Sequence, residues 1–260
     1  MLEVIEGHLY DHPSYYDLIF GSDWKAEFDF LRGCFARHAR RPVKRVFEPA
    51  CGTGRLLVPL AEAGHDVSGN DLNAKAVEFC NARFARRGLP PPAVVGDMAN
   101  FRLKRPVDAA FNMINSVRHL ATEELAAAHL ACMARAVAKG GLYLLGLHLT
   151  PRGRAVCEEE SWSARRGNLA VMSRMWSIEV DRRHRRERVG MTFDVYTPKR
   201  QFQLREEIAF RTYTLEQIRA LLAGERGFEI VETYDFAYDL KKPIALGHST
   251  EDVVFVLRRG

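Results

Sequence analysis

The stretch "VFEPACGTGR", Val46 to Arg55, decides the fold. It is a short apolar strand that ends in a carboxylate and then sheds its bulky side chains. At a glycine-rich turn the backbone approaches a ligand closely, because no Cβ stands in the way. The dinucleotide fingerprint G-x-G-x-x-G also needs a third glycine, for close helix packing and an open path to the pyrophosphate. Gly52 and Gly54 supply two glycines, but Leu57 stands at the third position, and Ala50 stands where an earlier frame would need glycine. Glu48 would repel a pyrophosphate, and the phosphate-loop pattern G-x-x-x-x-G-K-[ST] is absent. The turn therefore predicts a nucleotide-like ligand without phosphates, one that tolerates or carries a positive charge.

Working outward, the spacing of Trp24, Phe28, Leu31 and Phe35 predicts an amphipathic helix over Asp23 to Ala39. Val43 to Pro49 reads as the first strand and Gly54 to Ala63 as the next helix. "HDVSGND" is a second strand ending at Asp71, and Asn73 caps a helix running to about Arg86. "GLPPP" breaks the chain, "AVVGDM" is a third strand, and "VDAAFNMI" from Val107 is a fourth. A helix opens at Thr122 and is expected to stop at Lys139 to Gly141. "LYLLGLHL" is a fifth strand whose apolar run suits burial on both faces. Alternating strands and helices predict a parallel sheet wound with helices on both faces. From Trp162 to Tyr213 the pattern changes to three antiparallel strands, "LAVMSRMWSIEV", "RVGMTFDVY" and "QFQLREEIAF". Thr214 and Gln217 then form a capping box, and "FEIVETYDF" and "DVVFVLRR" are the last strands.

Composition sets loose bounds. Of 260 residues, 47% are hydrophobic and 27% charged, ordinary values for a packed globular chain, and the net charge of +5 permits an anionic partner without demanding one. Cys34, Cys51, Cys80, Cys132 and Cys157 share no CxxC spacing, which reads as reduced thiols; no His/Asp cluster has ligand spacing, so no metal is expected. The N-terminus has no basic segment followed by an apolar one, and no apolar run approaches the ~20 residues of a membrane helix. A cytoplasmic monomer or homodimer is expected.

Taken together, the motifs resemble those of class I S-adenosylmethionine-dependent methyltransferases. "FEPACGTGR" looks like that family's first motif, "GND" supplies an acidic residue ending the second strand, and "VGDM" supplies another after the third. "NMINSVRHL" resembles its "SxxHL" stretch, and "AKGGLYLLGL" and "FRTYTLEQIRALL" follow in the family's order. The resemblance runs from about Tyr10 to Arg259. It implies a Rossmann-like, mostly parallel seven-stranded α/β sheet with an inserted antiparallel β subdomain. An N-terminal helical segment or lid would occupy 1–42, the core 43–150 and 214–260, and the insert 151–213. It also implies S-adenosylmethionine as cofactor, with S-adenosylhomocysteine as product. Asp71 would hold both ribose hydroxyls and Asp97 the adenine amino group, with Met98 packed on the ring and Leu72 among the cofactor residues. Glu48 would face the ammonium end, Gly52 and Gly54 would leave room for the sugar and methionyl chain, Ala50 and Asn112 would also lie at the cofactor, and Asn115 would either bond it or only shape its turn.

The family's chemistry asks the protein to orient a nucleophile and exclude water. An amine must be neutral and a hydroxyl needs a base. His119 and His148 follow the fourth and fifth strands and are candidate catalytic groups. Resemblance to small-amine and amino-sugar N-methyltransferases adds Tyr16 of the N-terminal "YD", with Tyr15 as competitor, at both acceptor and cofactor. Arg118 is a candidate substrate anchor, and Trp176 stands for an apolar wall formed with Trp162, Met172, Met175, Met191, Phe193 and Tyr196. Each has a structural alternative: a bonded turn histidine, a satisfied strand histidine, a solvated arginine, the insert's own core. The absence of "[DN]PP[YF]" argues against base and glutamine-amide methylation. Without exposed aromatics or a separate basic domain, "DRRHRRERV" (181–189) argues only weakly for nucleic acid. The expected acceptor is a small molecule, with amine nitrogen favoured over hydroxyl. RNA methylation through the basic run, or cofactor binding without catalysis, are the alternatives.

Overall fold

The computed structural model describes residues 3–21, 24–151 and 159–260; Asp23, the expected start of a helix, and Cys157 lie outside the described residues. In chain order the elements begin with β1 (Glu3–Glu6), α1 (Pro13–Phe20), α2 (Trp24–His38), β2 (Arg45–Pro49), α3 (Leu57–Glu62), β3 (Asp66–Asp71) and α4 (Ala74–Ala85). They continue with β4 (Ala93–Val95), β5 (Val107–Asn112), α5 (Glu123–Ala136), β6 (Val137–His148), β7 (Glu159–Arg166) and β8 (Leu169–Asp181). The chain closes with β9 (Arg186–Tyr196), β10 (Gln201–Arg211), α6 (Leu215–Gly224), β11 (Phe228–Tyr234) and β12 (Asp252–Arg259).

Seven strands form the main sheet in the order β11-β12-β6-β5-β2-β3-β4. β2 to β6 run parallel, and β12 is antiparallel to both β6 and β11. The chain moves outward from β2 to β3 and β4, then returns to β5 on the other side of β2. That reversal opens a crevice at the carboxyl ends of β2 and β5, where ligands bind in open α/β sheets. Helices cover both faces. Leu130 and Met133 of α5 and Ile218 of α6 pack on one side; Phe30 and Leu31 of α2, Leu57 of α3 and Phe84 of α4 pack on the other. β6 alternates accordingly, with Tyr143, Leu145 and Leu147 in the first core and Leu142 and Leu144 in the second. Among the described residues, no helix is long and apolar enough to cross a membrane.

The local signals act as physical stops and starts. Asn73 accepts from the backbone N–H groups of Lys75 and Ala76, Thr122 accepts from that of Leu125, and Thr214 with Gln217 completes a capping box. "KGG" behaves differently from the expectation: α5 ends at Ala136, and Lys139 to Gly141 already belong to β6. The pairing jumps from Val107–Val137 to Ala109–Leu142, with Gly140 at φ +74° inside the irregularity. The glycines therefore make a bulge at the start of a strand rather than the end of a helix.

A second, five-stranded sheet has the order β1-β10-β9-β8-β7. The insert thus supplies four strands where three were expected, and the N-terminal segment adds a strand of its own, parallel to β10. β7 reads "EESWSARR", exposed at nearly every position, so its alternation carries little hydrophobic contrast. The inner face of this sheet carries Val171, Met191, Phe193, Val195 and Leu204, packed on Leu9, Leu18 and Ile19 of the N-terminal segment. α1 touches β7 and β8 on one side and α4 on the other, so it bridges insert and main sheet.

Candidate functional site

The loop after β2 is held in an uncommon conformation: Ala50, Gly52 and Gly54 all have positive φ, at 51°, 51° and 69°. Ala50 keeps a Cβ in the left-handed region, at a cost of about 1 kcal/mol. The two glycines serve different ends. A Cβ on Gly52 would meet nothing within 4 Å, whereas a Cβ on Gly54 would lie 2.4 Å from Cys80 Sγ. Gly52 therefore faces open crevice. Gly54 lets α4 close on the loop, which corrects the expectation that it leaves room for ligand.

Asp71, ending β3, is aimed by two backbone bonds: Gly52 N–H to Oδ2 and Asn73 N–H to Oδ1, both 2.8 Å. Burial raises its pKa, while these bonds pull the other way. Each oxygen keeps acceptor capacity for a hydroxyl. Beside it, Leu72 is 72% exposed, an apolar side chain that folding leaves in water. Glu48 Oε2 is buried and has no hydrogen-bond partner. Burial drives the Glu48 carboxyl well above its usual range, with the nearby Arg55 charge opposing. A buried carboxylate oxygen without a donor is a fitting counterpart for an ammonium group. Asn112, 2% exposed, donates to the Pro49 carbonyl at 2.9 Å and leaves Oδ1 without a partner. Open space at Gly52, spare capacity on Asp71 and these two orphaned oxygens fit the sugar and amino-acid ends of S-adenosylmethionine.

Other cofactor candidates sit less simply. Asp97 Oδ1 accepts from Ala99 N–H at 2.7 Å, which orients the carboxylate. Met98 is buried in the core beneath α5, so its side chain packs inward rather than on an open face. Its carbonyl is bonded by His129 Nδ1 at 2.9 Å. Asn115, at φ 55°, accepts from His148 N–H through Oδ1 at 2.8 Å; its oxygen is spent tying the turn to β6.

A second cluster, of aromatic rings and His119, forms at the turn after β5. His119 ends the 3-10 turn Ser116–His119, and its Nε2 lies 3.2 Å from the Tyr10 hydroxyl. Its ring is open to the crevice, yet protein walls displace bulk water around it, and this desolvation, aided by the Arg118 charge, lowers its pKa to about 4. His119 is therefore neutral near pH 7. Burial raises the Tyr16 hydroxyl to about 12 and the Tyr10 hydroxyl well above its usual value. Ring contacts run unbroken from Trp162 to Phe20 (5.7 Å), Tyr16 (4.7 Å), Tyr10 (5.3 Å), His119 (5.6 Å) and Phe210 (4.7 Å). Tyr15 packs against Phe202 and stacks on His12, away from this row.

Three expected contributors are elsewhere. Arg118 is buried; it pairs with Glu187, donates to the Arg211 carbonyl at 3.0 Å and lies 5.1 Å over Phe210. It is an internal tie between the 3-10 turn and the insert, so it is not a free anchor for substrate. His148 Nδ1 pairs with Asp252 at 2.5 Å and its ring packs on Phe236, outside the Tyr10–Tyr16–His119 cluster. Trp176 lies over Gly190, where a Cβ would meet its ring at 2.4 Å. Strand alternation puts it with Met172 and Tyr196 on the outer face of the five-stranded sheet, opposite Met175, Met191 and Phe193. The basic run is stitched into the fold as well: Arg185 pairs with Glu123 at 2.6 Å, and Arg188 pairs with Glu179 and Glu207.

Sequence reasoning missed the residues that fasten the N-terminal segment. Glu27 receives a two-pronged bond from Arg55 (2.8 and 2.7 Å). Asp17 pairs with Arg83, which also donates to the Thr53 carbonyl. Glu206 of β10 accepts from Leu9 N–H, and Tyr10 stands beside His119. The "YD" at 10–11 mirrors the "YD" at 16–17 and was the one available signal.

Residues 46–141 match a family model described as "Methyltransferase domain". The chain is 30% identical over 139 residues to the dTDP-3-amino-3,4,6-trideoxy-alpha-D-glucopyranose N,N-dimethyltransferase of Streptomyces venezuelae, covering 52% of this chain and 56% of that protein. The alignment thus spans little more than half the length of that relative. Streptomyces venezuelae DesVI superposes with a TM-score of 0.79 at 22% identity, over 96% of this chain and 98% of that one. A S-adenosylmethionine-dependent methyltransferase from Clostridium acetobutylicum gives 0.77 at 18% identity, over 97% and 100%. Residues 46–141 thus match a methyltransferase domain, and the fold around them is the one seen in solved S-adenosylmethionine-dependent methyltransferases.

Proposed function

We propose that the chain methylates an amine nitrogen of a small molecule, with S-adenosylmethionine as methyl donor. The observation that carries this reading is the pairing of an oriented carboxylate cradle, Asp71 with Gly52 and Glu48, with a neutral, aromatic acceptor side at His119, Tyr10 and Tyr16. Asp71 would take the ribose hydroxyls, Glu48 the ammonium, Asp97 the adenine amino group, and Leu72 a face of the ring. The cofactor supplies, when bound, an electrophilic methyl on a positively charged sulfur. The chain's own task is to keep further positive charge and water away from that position.

His119 meets the first requirement, because desolvation holds it uncharged near pH 7. The aromatic row meets the second by lining the mouth with rings instead of hydrated groups. An amine must arrive without its extra proton, and a neutral imidazole beside it adds no positive charge that would oppose the sulfonium. In this reading residues 1–42 and 151–213 form the acceptor cover over a core of 43–150 and 214–260. Amine acceptors of the sugar type named for the Streptomyces venezuelae relative are the first to test.

The direct test is release of S-adenosylhomocysteine by purified protein given cofactor and a pool of amino sugars and other small amines. His119→Ala should lower turnover about 100-fold or more while leaving calorimetric S-adenosylhomocysteine affinity nearly unchanged. Normal turnover in a folded His119→Ala variant removes His119 from the reaction. No release with any amine in the pool counts against amine methylation.

A further inference from the structure

The short 3-10 turn Leu9–Asp11 is pinned at both ends to different parts of the molecule. On the insert side, Glu206 accepts from Leu9 N–H and from His8 Nδ1, each at 2.7 Å. On the core side, Asp11 accepts from Asn73 Nδ2 at 2.8 Å and Lys75 Nζ at 3.0 Å. Asn73 is the residue whose backbone N–H aims Asp71 Oδ1 at 2.8 Å. Between the two pins stands Tyr10, its hydroxyl 3.2 Å from His119 Nε2 and its ring edge-on to the imidazole at 74°. One contiguous path therefore runs Asp71, Asn73, Asp11, Tyr10, His119, with a single covalent step between Asp11 and Tyr10.

We propose that Tyr10 is a positioning residue for His119, and that the turn carrying it couples occupancy of the Asp71 site to the orientation of the His119 ring. The proposal rests on the methyltransferase reading above and adds a residue and a linkage to it. Tyr10 holds its proton, since burial opposes the phenolate, and it donates that proton to the bare Nε2 of a neutral imidazole. That bond places the imidazole proton on Nδ1 and fixes the ring plane. A ligand on Asp71 bears on Asn73 and Asp11, and Tyr10 transmits any shift because Glu206 holds the far end of the turn. The other titratable and charged groups around the pair are Arg118 on the His119 turn, engaged by Glu187, together with Tyr16, Glu206 and Asp71. None of these replaces the hydroxyl at Nε2.

NMR reads the coupling directly. The His119 Cε1–H resonance is titrated by NMR in the full-length protein, with and without S-adenosylhomocysteine, for wild type, Tyr10→Phe and Asp11→Ala. Tyr10→Phe keeps the ring packing and deletes one bond to the neutral imidazole, so the His119 pKa should rise by about one unit. An unchanged or lower value overturns the positioning role, since a merely structural tyrosine leaves the titration where it was. S-adenosylhomocysteine should move the wild-type resonance, and Asp11→Ala should abolish that movement while calorimetry still detects binding. Movement of wild-type size in Asp11→Ala, or none in a wild type that binds, overturns the coupling. No calorimetric binding to wild type would instead strike the cofactor assignment; the Tyr10→Phe titration without ligand still decides the positioning role.

Discussion

The two edges of the crevice are assembled in opposite ways. On the edge proposed for the cofactor, Glu48, Ala50, Gly52 and Asp71 come from two neighbouring strands and the loop after the first of them, and backbone bonds aim the Asp71 carboxylate. On the edge proposed for the acceptor, Tyr10, His119 and Phe210 come from the N-terminal segment, the turn after β5 and the inserted sheet, and side-chain contacts hold them. The first edge is a local motif with one conformation to satisfy. The second exists only when two sheets and a strap have closed on one another. Mutations on the acceptor edge should therefore unsettle the fold, and mutations on the cofactor edge should mainly cost binding.

Arg118→Ala gives the largest expected effect. It leaves Glu187 buried without its partner, which should destabilise the protein by about 3–5 kcal/mol in denaturant unfolding. Replacing both residues by apolar ones of similar size should recover most of the loss. A near-neutral single mutant would break the comparison.

The glycine pair sharpens it from the other side. Gly54→Ala meets Cys80 Sγ and a positive φ together, so a loss of about 2–4 kcal/mol is expected. Gly52→Ala meets only the φ strain, about 1 kcal/mol, yet projects a methyl into the crevice. It should weaken S-adenosylhomocysteine binding in calorimetry, whereas Gly54→Ala should lower the melting temperature more.

Acid tests the floor beneath the Asp97–Met98 segment. Burial lowers the His129 pKa to about 4 while its ring bonds the Met98 carbonyl and the Tyr143 hydroxyl. The folded state resists protonation that the unfolded chain accepts from about pH 6.5 downward. Stability is therefore full above about pH 6.5 and falls as pH drops toward 4, by up to about 3 kcal/mol. Denaturation midpoints followed from pH 7.5 to 4.5 check the sign; a rise on acidification would contradict the buried neutral ring.

Asp71→Ala is smaller in free energy and confined to binding. Loss of charge-assisted hydrogen bonds should weaken S-adenosylhomocysteine by about 1–3 kcal/mol with little change in melting. Unchanged calorimetric affinity in the folded variant would remove Asp71 from the cofactor site.

The same contrast explains what the sequence made legible. Alternating strands and helices, the caps at Asn73, Thr122 and Thr214, and the pairing of the glycine turn with Asp71 are short-range features with local causes. Arg118, His148 and Trp176 were placed by chain position and residue type alone. Nothing near Arg118 in sequence announces Glu187, and nothing near His148 announces Asp252. Trp176 fell on the wrong face because alternation shows that two faces exist without saying which is inward. Tyr10 was passed over because its value depends on His119, 109 positions away. β1 and β7 were missed because edge strands in contact with water carry little apolar contrast.

The parallel pairing of β1 with β10 has a consequence for how the molecule is made. His8 and Glu206 are separated by 198 positions, so the strap cannot seat until most of the chain has emerged from the ribosome. Loop closure of that length is slow and comes late, whereas β2 to β6 assemble from near neighbours. The crevice strands β2 to β6 thus precede their roof, which closes only once β1 has found β10, the last strand of the insert.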